Sequence, residues 1–265
     1  MELRTYALQA FEICDPLAKV DAMQAAASKL GTIPVAPHAI LASPDGPGRP
    51  SLPMLVEPKE VPRRSPFTSE GLAALVHSIA HIEFNAINLA LDAVWRFPNM
   101  PEPYYRDWMQ VALEESQHFA MLEAHLRRCG YSYGSFPAHD GLWTMCENTR
   151  AHIVARMALV PRTLEARGLD ATPPIQAKLR KAGDERAVEI LDIVLRDEIG
   201  HVAIGNRWYR WLCEREGLDP VAHYRQLIRQ YQAPRLRPPF NTQARQAAGF
   251  SAEEMAYLAS DGVSD

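Results

Sequence analysis

Two short stretches of this chain place a glutamate and a histidine three residues apart: Glu115-Ser116-Gln117-His118 and Glu198-Ile199-Gly200-His201. Each is preceded directly by another acid, Glu114 or Asp197. Each also follows a solitary glutamate at nearly the same distance, Glu83 lying 32 residues before Glu115 and Glu165 lying 33 before Glu198. In an α-helix, residues three apart sit about 300° around the axis and roughly 4.5 Å along it. Glu and His then leave one stripe, and a single metal ion takes an oxygen and a nitrogen from one helix. Two helices with one Glu each and two with Glu-x-x-His form the ligand set of a carboxylate-bridged di-metal site in a four-helix bundle.

The donor set narrows the metal. Oxygen and imidazole ligands without a thiolate favour iron, manganese or zinc over a soft-metal site. Carboxylates bridging two ions, with terminal carboxylates beside them, offset most of the charge of two divalent cations. With 19 Glu and 9 His in the chain, about 0.6 Glu-x-x-His pairs would arise by chance, so one pair means little and two with matched upstream glutamates mean more. The competing reading is of solvated helix acids with incidental histidines. Against it stand the neighbours of Glu83 one turn away, Ile79, Ala80, Ala86 and Ile87, and the apolar Val111, Ala112, Phe119, Leu122, Ala158, Val194 and Leu195 near the other candidates. A carboxylate on an apolar stripe is costly unless it is paired, hydrogen-bonded or bound to metal.

Four helices must position these groups. Helical periodicity and stop signals predict helix A over Ser69–Phe97, helix B from Pro101 or Pro103 to Gly130, helix C over Leu142–Ala166 ended by Gly168, and helix D from Pro174 or Asp184 to Glu216. Proline is tolerated in a helix's first turn and glycine ends one. The connection from B to C, with Gly130, Gly134, Pro137 and Gly141, could serve as a long crossover. A short helix over Phe11–Leu30 precedes them. Two more, Pro220–Gln230 and Ser251–Ala259, follow, the last opened by a capping box of Ser251 and Glu254. Between the first helix and helix A, 34–66 holds nine of the chain's 21 prolines, too many for a helix. It reads either as disordered or as an extended strap packed through Ile40, Leu41, Leu52, Met54, Leu55 and Val56. The expected division is 1–68 as N-terminal helix and strap, 69–217 as the di-metal bundle, and 218–265 as a helical tail.

Composition agrees with a sizeable core: 265 residues, 47% hydrophobic, net charge -4. No basic block suggests nucleic-acid binding. Cys14, Cys129, Cys146 and Cys213 are scattered without a Cys-x-x-Cys pair, as in a reducing compartment. Met1–Leu17 lacks a cationic start and an apolar run, and no stretch of about 18 apolar residues exists, so a soluble, cytoplasmic protein is expected.

These residues resemble the ferritin-like di-iron carboxylate superfamily of ferritins, the ribonucleotide reductase small subunit, bacterial multicomponent monooxygenases and tRNA-hydroxylating monooxygenases. The likeness covers about Ser69 to Glu216. The Asp-Pro-Leu-Ala-Lys stretch from Asp15, the GRPSLP of the strap, AHIEFNAINLALD around Glu83 and the C-terminal PPFNTQARQAAGF look like a bacterial ferritin-like family of unknown function. The resemblance implies an all-α, ferritin-like four-helix bundle with Glu83, Glu115, His118, Glu165, Glu198 and His201 as metal ligands, and it implies no substrate. Two iron ions are the expected cofactor, with manganese as the alternative in either position. The expected activity is O2-dependent oxidation of a small organic molecule, fed by a separate electron donor because no flavin, nicotinamide or iron–sulfur motif is visible. Iron handling is the alternative, in which iron is the substrate. A small homo-oligomer goes with the first of these readings, a cage-sized particle with iron storage.

Other residues carry paired readings. Glu114 and Asp197 are either acceptors for a ligand imidazole N–H or surface acids. His77 and His81, four apart on helix A, read as a core or surface pair in preference to a second metal site, because His81 points about 200° away from Glu83; His152 is read the same way. Pro161, four residues before Glu165, predicts a kink or π-bulge, with or without a role. Trp208, Tyr209 and Trp211 read as a packing cluster in preference to an electron path. The arginines Arg225, Arg229, Arg235, Arg237 and Arg245 read as a solvated or self-docking tail in preference to a nucleic-acid arm.

Overall fold

In the computed structural model, which describes residues 1–261, the regular elements are all helical. The single β-type contact among the described residues is an isolated parallel bridge between Leu55 and Ala138. None of these helices is long and apolar enough to cross a membrane. The last four residues of the expected tail lie outside the described residues. The chain divides into two compact units, one of Met1–Trp143 with Leu179–Ile190, the other of Thr144–Lys178 with the residues from Leu191 onward. The three segments expected above divide the chain by sequence; these units divide it in space.

The first unit is built on α3 (Ser69–Arg96) and α4 (Glu102–Arg128), joined by a short turn and packed along each other. Thr68 caps α3 by accepting a hydrogen bond from the Gly71 N–H at 3.1 Å, so the helix starts at Ser69 as expected. Most of α3 is buried on every face, because α1 (Leu3–Glu12) lies against it. Helix α2 (Pro16–Ala27) lies against α4. The expected single helix over 11–30 is thus two helices. Asp15 starts a new one by accepting from the Ala18 N–H at 2.7 Å, with Pro16 in its first turn, so a cap signal overrides the continuing periodicity.

The proline-rich strap is held by polar contacts rather than by its apolar side chains. The buried Arg4 guanidinium donates to the carbonyls of Ala36, Pro37 and Ala39 in the strap and of Val94 and Trp95 at the end of α3. Arg49 forks onto Asp140 with two bonds of 2.8 Å, and the Lys19 ammonium, fully buried, donates to Phe11 O, Gly48 O and Asn88 Oδ1. Ile40, Leu52, Met54 and Leu55 remain exposed, correcting the expectation that they pack. Extended chain without a ladder must satisfy its carbonyls from side chains, and buried Arg and Lys do so here.

His77 and His81 are core residues. His77 Nε2 accepts from the Gly134 N–H at 2.9 Å, so it must be unprotonated there. His81 lies between the Tyr133 hydroxyl, 2.9 Å from Nδ1, and the His139 carbonyl, 3.1 Å from Nε2. Burial lowers both imidazoles to about 4. Between about pH 6.5 and 4 the unfolded chain binds protons that the folded chain refuses, so stability is full above this window and lost as pH falls through it. The slope should reach about 1.4 kcal/mol per pH unit for each histidine. The difference between wild type and His77→Gln isolates it: across this range denaturant unfolding should show wild type losing up to about 1.4 kcal/mol more per pH unit than the variant, and parallel profiles would contradict a buried neutral His77.

The second unit contains α6 (Ile153–Leu159), a π-helical turn (Val160–Glu165), most of α7 (Ala166–Ala182) and of α8 (Glu185–Glu216), then α9 (Pro220–Gln230), α10 (Thr242–Ala247) and α11 (Ala252–Asp261). The expected helix over 142–166 is interrupted. Helix α5 (Gly141–Asn148) ends where the Thr149 hydroxyl turns back onto the Met145 and Cys146 carbonyls, a side-chain bond that competes with the helical ladder. Gly168 does not stop the run, which continues to Gly183, where a φ of +79° makes glycine the natural stop. Pro161 lacks the N–H the ladder needs, and the chain takes the wider π turn at that point. Helices α10 and α11 and the link between them cluster through Ala244, Ala248, Phe250 and Leu258 with Ala166, Leu169 and Val202 of α7 and α8. Ser251 and Glu254 form the expected capping box, their reciprocal bonds measuring 2.7 and 3.1 Å; α10 is an additional helix that the periodicity does not predict.

Candidate metal centre

Ile79, Ala80, Ile87, Val111, Ala112, Phe119 and Leu122 are all buried, and the stripe they form on α3 and α4 carries Glu83, Glu115 and His118. These three are themselves 3%, 1% and 1% exposed. Each offers a ligand atom within 4.8 Å of the others'. His118 Nδ1 stands 3.2 Å from Glu83 Oε2 and 3.3 Å from Glu115 Oε2. The i, i+3 spacing on α4 and one residue from α3 therefore deliver two carboxylates and an imidazole to one point in the core, a group able to hold a metal ion.

The three groups shift one another's protonation strongly. Burial pushes the Glu83 carboxyl up to about 8, and the nearby Glu115 charge pushes the same way against the pull of His118. Burial opposes charge on His118 as well, but its bonds to the two carboxylates outweigh this and raise the imidazole to about 12. Two carboxylates this close are costly with only protons for company. A divalent ion bound to them would displace those protons and take over their role. The donor chemistry and burial fit a hard or borderline ion such as iron, manganese or zinc.

The second unit holds the other three candidates. Glu198 and His201 lie one turn apart on α8, with His201 Nδ1 3.9 Å from Glu198 Oε2 and both residues buried. Glu165 is the last residue of the π turn, half-buried, with its Oε2 shielded from solvent. A Cβ at Gly205 would come within 2.7 Å of Pro161 Cβ, so glycine lets α8 approach the π turn closely. Arg162, 1% exposed, donates to Asn206 Oδ1 and to Glu254 Oε1, both at 2.7 Å.

The remaining candidates resolve toward structure. Glu114 accepts from Gln110 at 2.8 Å and Asp197 pairs with Arg196 at 2.8 Å, both near solvent. His152 is the exposed residue before α6. Trp208 and Trp211 make an edge contact, and the Tyr209 hydroxyl donates to Pro220 O at 2.7 Å. Arg245 is buried and forks onto Asp170, so this part of the tail docks on its own chain. Sequence reasoning missed Lys19, Arg162 and the pair of His125 with Asp184 at 2.8 Å, which ties α4 to the residue capping α8. The available signal was a charge set within an apolar helical run, as in Leu17-Ala18-Lys19-Val20 and Val160-Pro161-Arg162-Thr163-Leu164.

A relative from Haemophilus influenzae (strain ATCC 51907 / DSM 11121 / KW20 / Rd), described as an uncharacterized protein, is 51% identical over 216 residues, covering 79% of this chain and 75% of its own. No solved structure matches. Residues 12–256, which include all six candidate ligands, match one protein family along their length, and the chain belongs to that family, described as protein of unknown function (DUF455).

Proposed function

We propose that this chain is a di-metal carboxylate protein with a ferritin-like four-helix bundle, and that it is an O2-activating oxidoreductase acting on a small organic substrate. The observation that carries the reading is the convergence of Glu83, Glu115 and His118 in an apolar interior, where such a group is hard to explain without a cation. In this reading α3, α4, the run from α6 into α7, and α8 are the bundle. What joins the two sets of ligands is the duplicated spacing in the sequence, Glu83 to Glu115 and Glu165 to Glu198.

Each residue type has a distinct task. Glu83, Glu115 and His118 would hold one side of the metal pair and Glu165, Glu198 and His201 the other, with Glu115 and Glu198 the carboxylates that would be shared and the two histidines the nitrogen donors. When bound, a redox-active pair of ions supplies the one-electron steps that let O2 oxidise an organic molecule. The chain supplies the rest. Ala80, Ile87, Ala112, Phe119 and Leu122 keep water from the first-unit carboxylates, which strengthens every charge interaction among them. His118, held by two carboxylates, gives up its proton when a cation takes its place.

The test is elemental analysis of protein purified without chelator. About two iron or manganese ions per chain are expected. Protein that takes up no metal from any of iron, manganese or zinc would end the metal-centre reading, and a strict preference for zinc would end its redox part.

A further inference from the structure

The π turn carries a candidate ligand at its end, and the second unit holds that turn in place with an unusual amount of buried charge. Arg162 sits in the middle of the turn, three residues before Glu165. Its guanidinium lies over the rings of Tyr209, Tyr224 and Phe250 at 5.1, 4.8 and 4.9 Å, and its forked nitrogens reach Asn206 on α8 and Glu254 on α11. Asn206 is fixed in turn by donating to Ala248 O at 2.8 Å. Glu254 also accepts from Arg210 and from the Ser251 N–H, which settles its carboxylate in one orientation. The neighbouring Thr163 hydroxyl bonds Ala158 O and the Tyr224 hydroxyl of α9, each at 2.8 Å.

A π turn is a locally underwound piece of helix, rare except where its surroundings hold it. Here the surroundings come from residues far along the chain: Glu254 is 92 residues from Arg162. A buried arginine paired with a single buried carboxylate becomes costly when the carboxylate is lost. Pro161 keeps the turn irregular in any case, but the turn would then be free to take another form, such as a simple kink, rotating Glu165 about the axis.

We propose that the C-terminal helix α11 is a latch on the π turn, with Arg162 and Glu254 as positioning residues that set the orientation of Glu165 and so the affinity of the metal it serves. The inference rests on the di-metal reading. It makes metal occupancy depend on the docking of the chain's own tail, a part that carries no ligand.

Cobalt(II) titration of the full chain tests this, following uptake by equilibrium dialysis and geometry by the visible absorption bands. Wild type should take up about two cobalt ions. Glu254→Gln, which keeps the shape and removes the charge, should weaken the more labile ion by about 10- to 100-fold, as loss of a ligand-orienting contact does, and should alter its bands while circular dichroism stays helical. Glu254→Asp should recover part of both. Unchanged affinity and bands in a helical Glu254→Gln protein would overturn the latch and leave the metal centre intact. If Glu254→Gln loses its helical signal, the same comparison is made on Arg162→Lys, which keeps the charge but cannot reach both Asn206 and Glu254, and where wild-type affinity and bands would overturn the latch. Failure of wild type itself to bind cobalt would overturn the metal-centre reading and the latch with it.

Discussion

Replacing Glu115 with alanine is expected to remove most bound metal while leaving the helices standing. In the proposed arrangement Glu115 bridges, so its loss takes a ligand from both ions at once, where loss of a terminal carboxylate takes one. The fold has little reason to follow. Helix α4 is held by Tyr104, Tyr105, Met109, Ala112, Phe119, Leu122 and Leu126, all fully buried, and apolar packing supplies most of the stability of such a helix. In the metal-free protein the substitution also relieves a repulsion, because the Glu115 charge helps to push the Glu83 carboxyl up; His118 keeps Glu83 as its partner at 3.2 Å. That relief works against the cost of the small cavity left behind. Elemental analysis and circular dichroism on one preparation read both halves of the expectation. Glu114→Ala is the matched comparison: it lies one residue away, turned toward Gln110 and solvent, and should keep its metal. Equal metal in the two variants would show that Glu115 is no ligand.

The buried stripe of Glu83, Glu115 and His118 was legible because its signals are local. A three-residue spacing fixes a shared helix face, and the apolar residues one turn either side of Glu83 are enough to imply its burial. The stop at Gly217 and the capping box of Ser251 and Glu254 are local in the same sense. Pro161 belongs with them, since a missing N–H forces some irregularity; what sequence could not choose was its form, and the close approach of Gly205 and the pull on Arg162 come from residues 44 or more positions away. The split at Asp15 was missed because apolar periodicity runs through it while a cap and a proline, both in plain view, end one helix and begin another. The strap misled in the opposite direction. Its apolar residues invited a packing argument, but Arg4, Lys19 and Arg49, two of them outside the strap, fasten it by its carbonyls and by Asp140. Such long-range polar anchors leave no pattern in the segment they hold.

The same anchors bear on whether, in the proposed reading, iron would be a tool or a cargo. Subunits of an iron-storage shell must offer the faces of their helices to neighbouring copies, and the shell's interior must communicate with the site. In this chain α1 covers α3 and α2 covers α4, with the buried Arg4 and Lys19 fastening α1, α2 and the strap down. In the second unit α10 and α11 cover parts of α7 and α8. Faces already buried against the chain's own extensions are not open for building a shell, and a covered, apolar surround suits oxidation of a small substrate better than bulk deposition of mineral. Ferrous ion added in excess under air should therefore stop at about two per chain, in a particle the size of a small oligomer, as judged by iron counting across a size-exclusion profile. Uptake of tens of irons per chain into a cage-sized particle would reverse the assignment, leaving the ligands where they are and making iron itself the substrate.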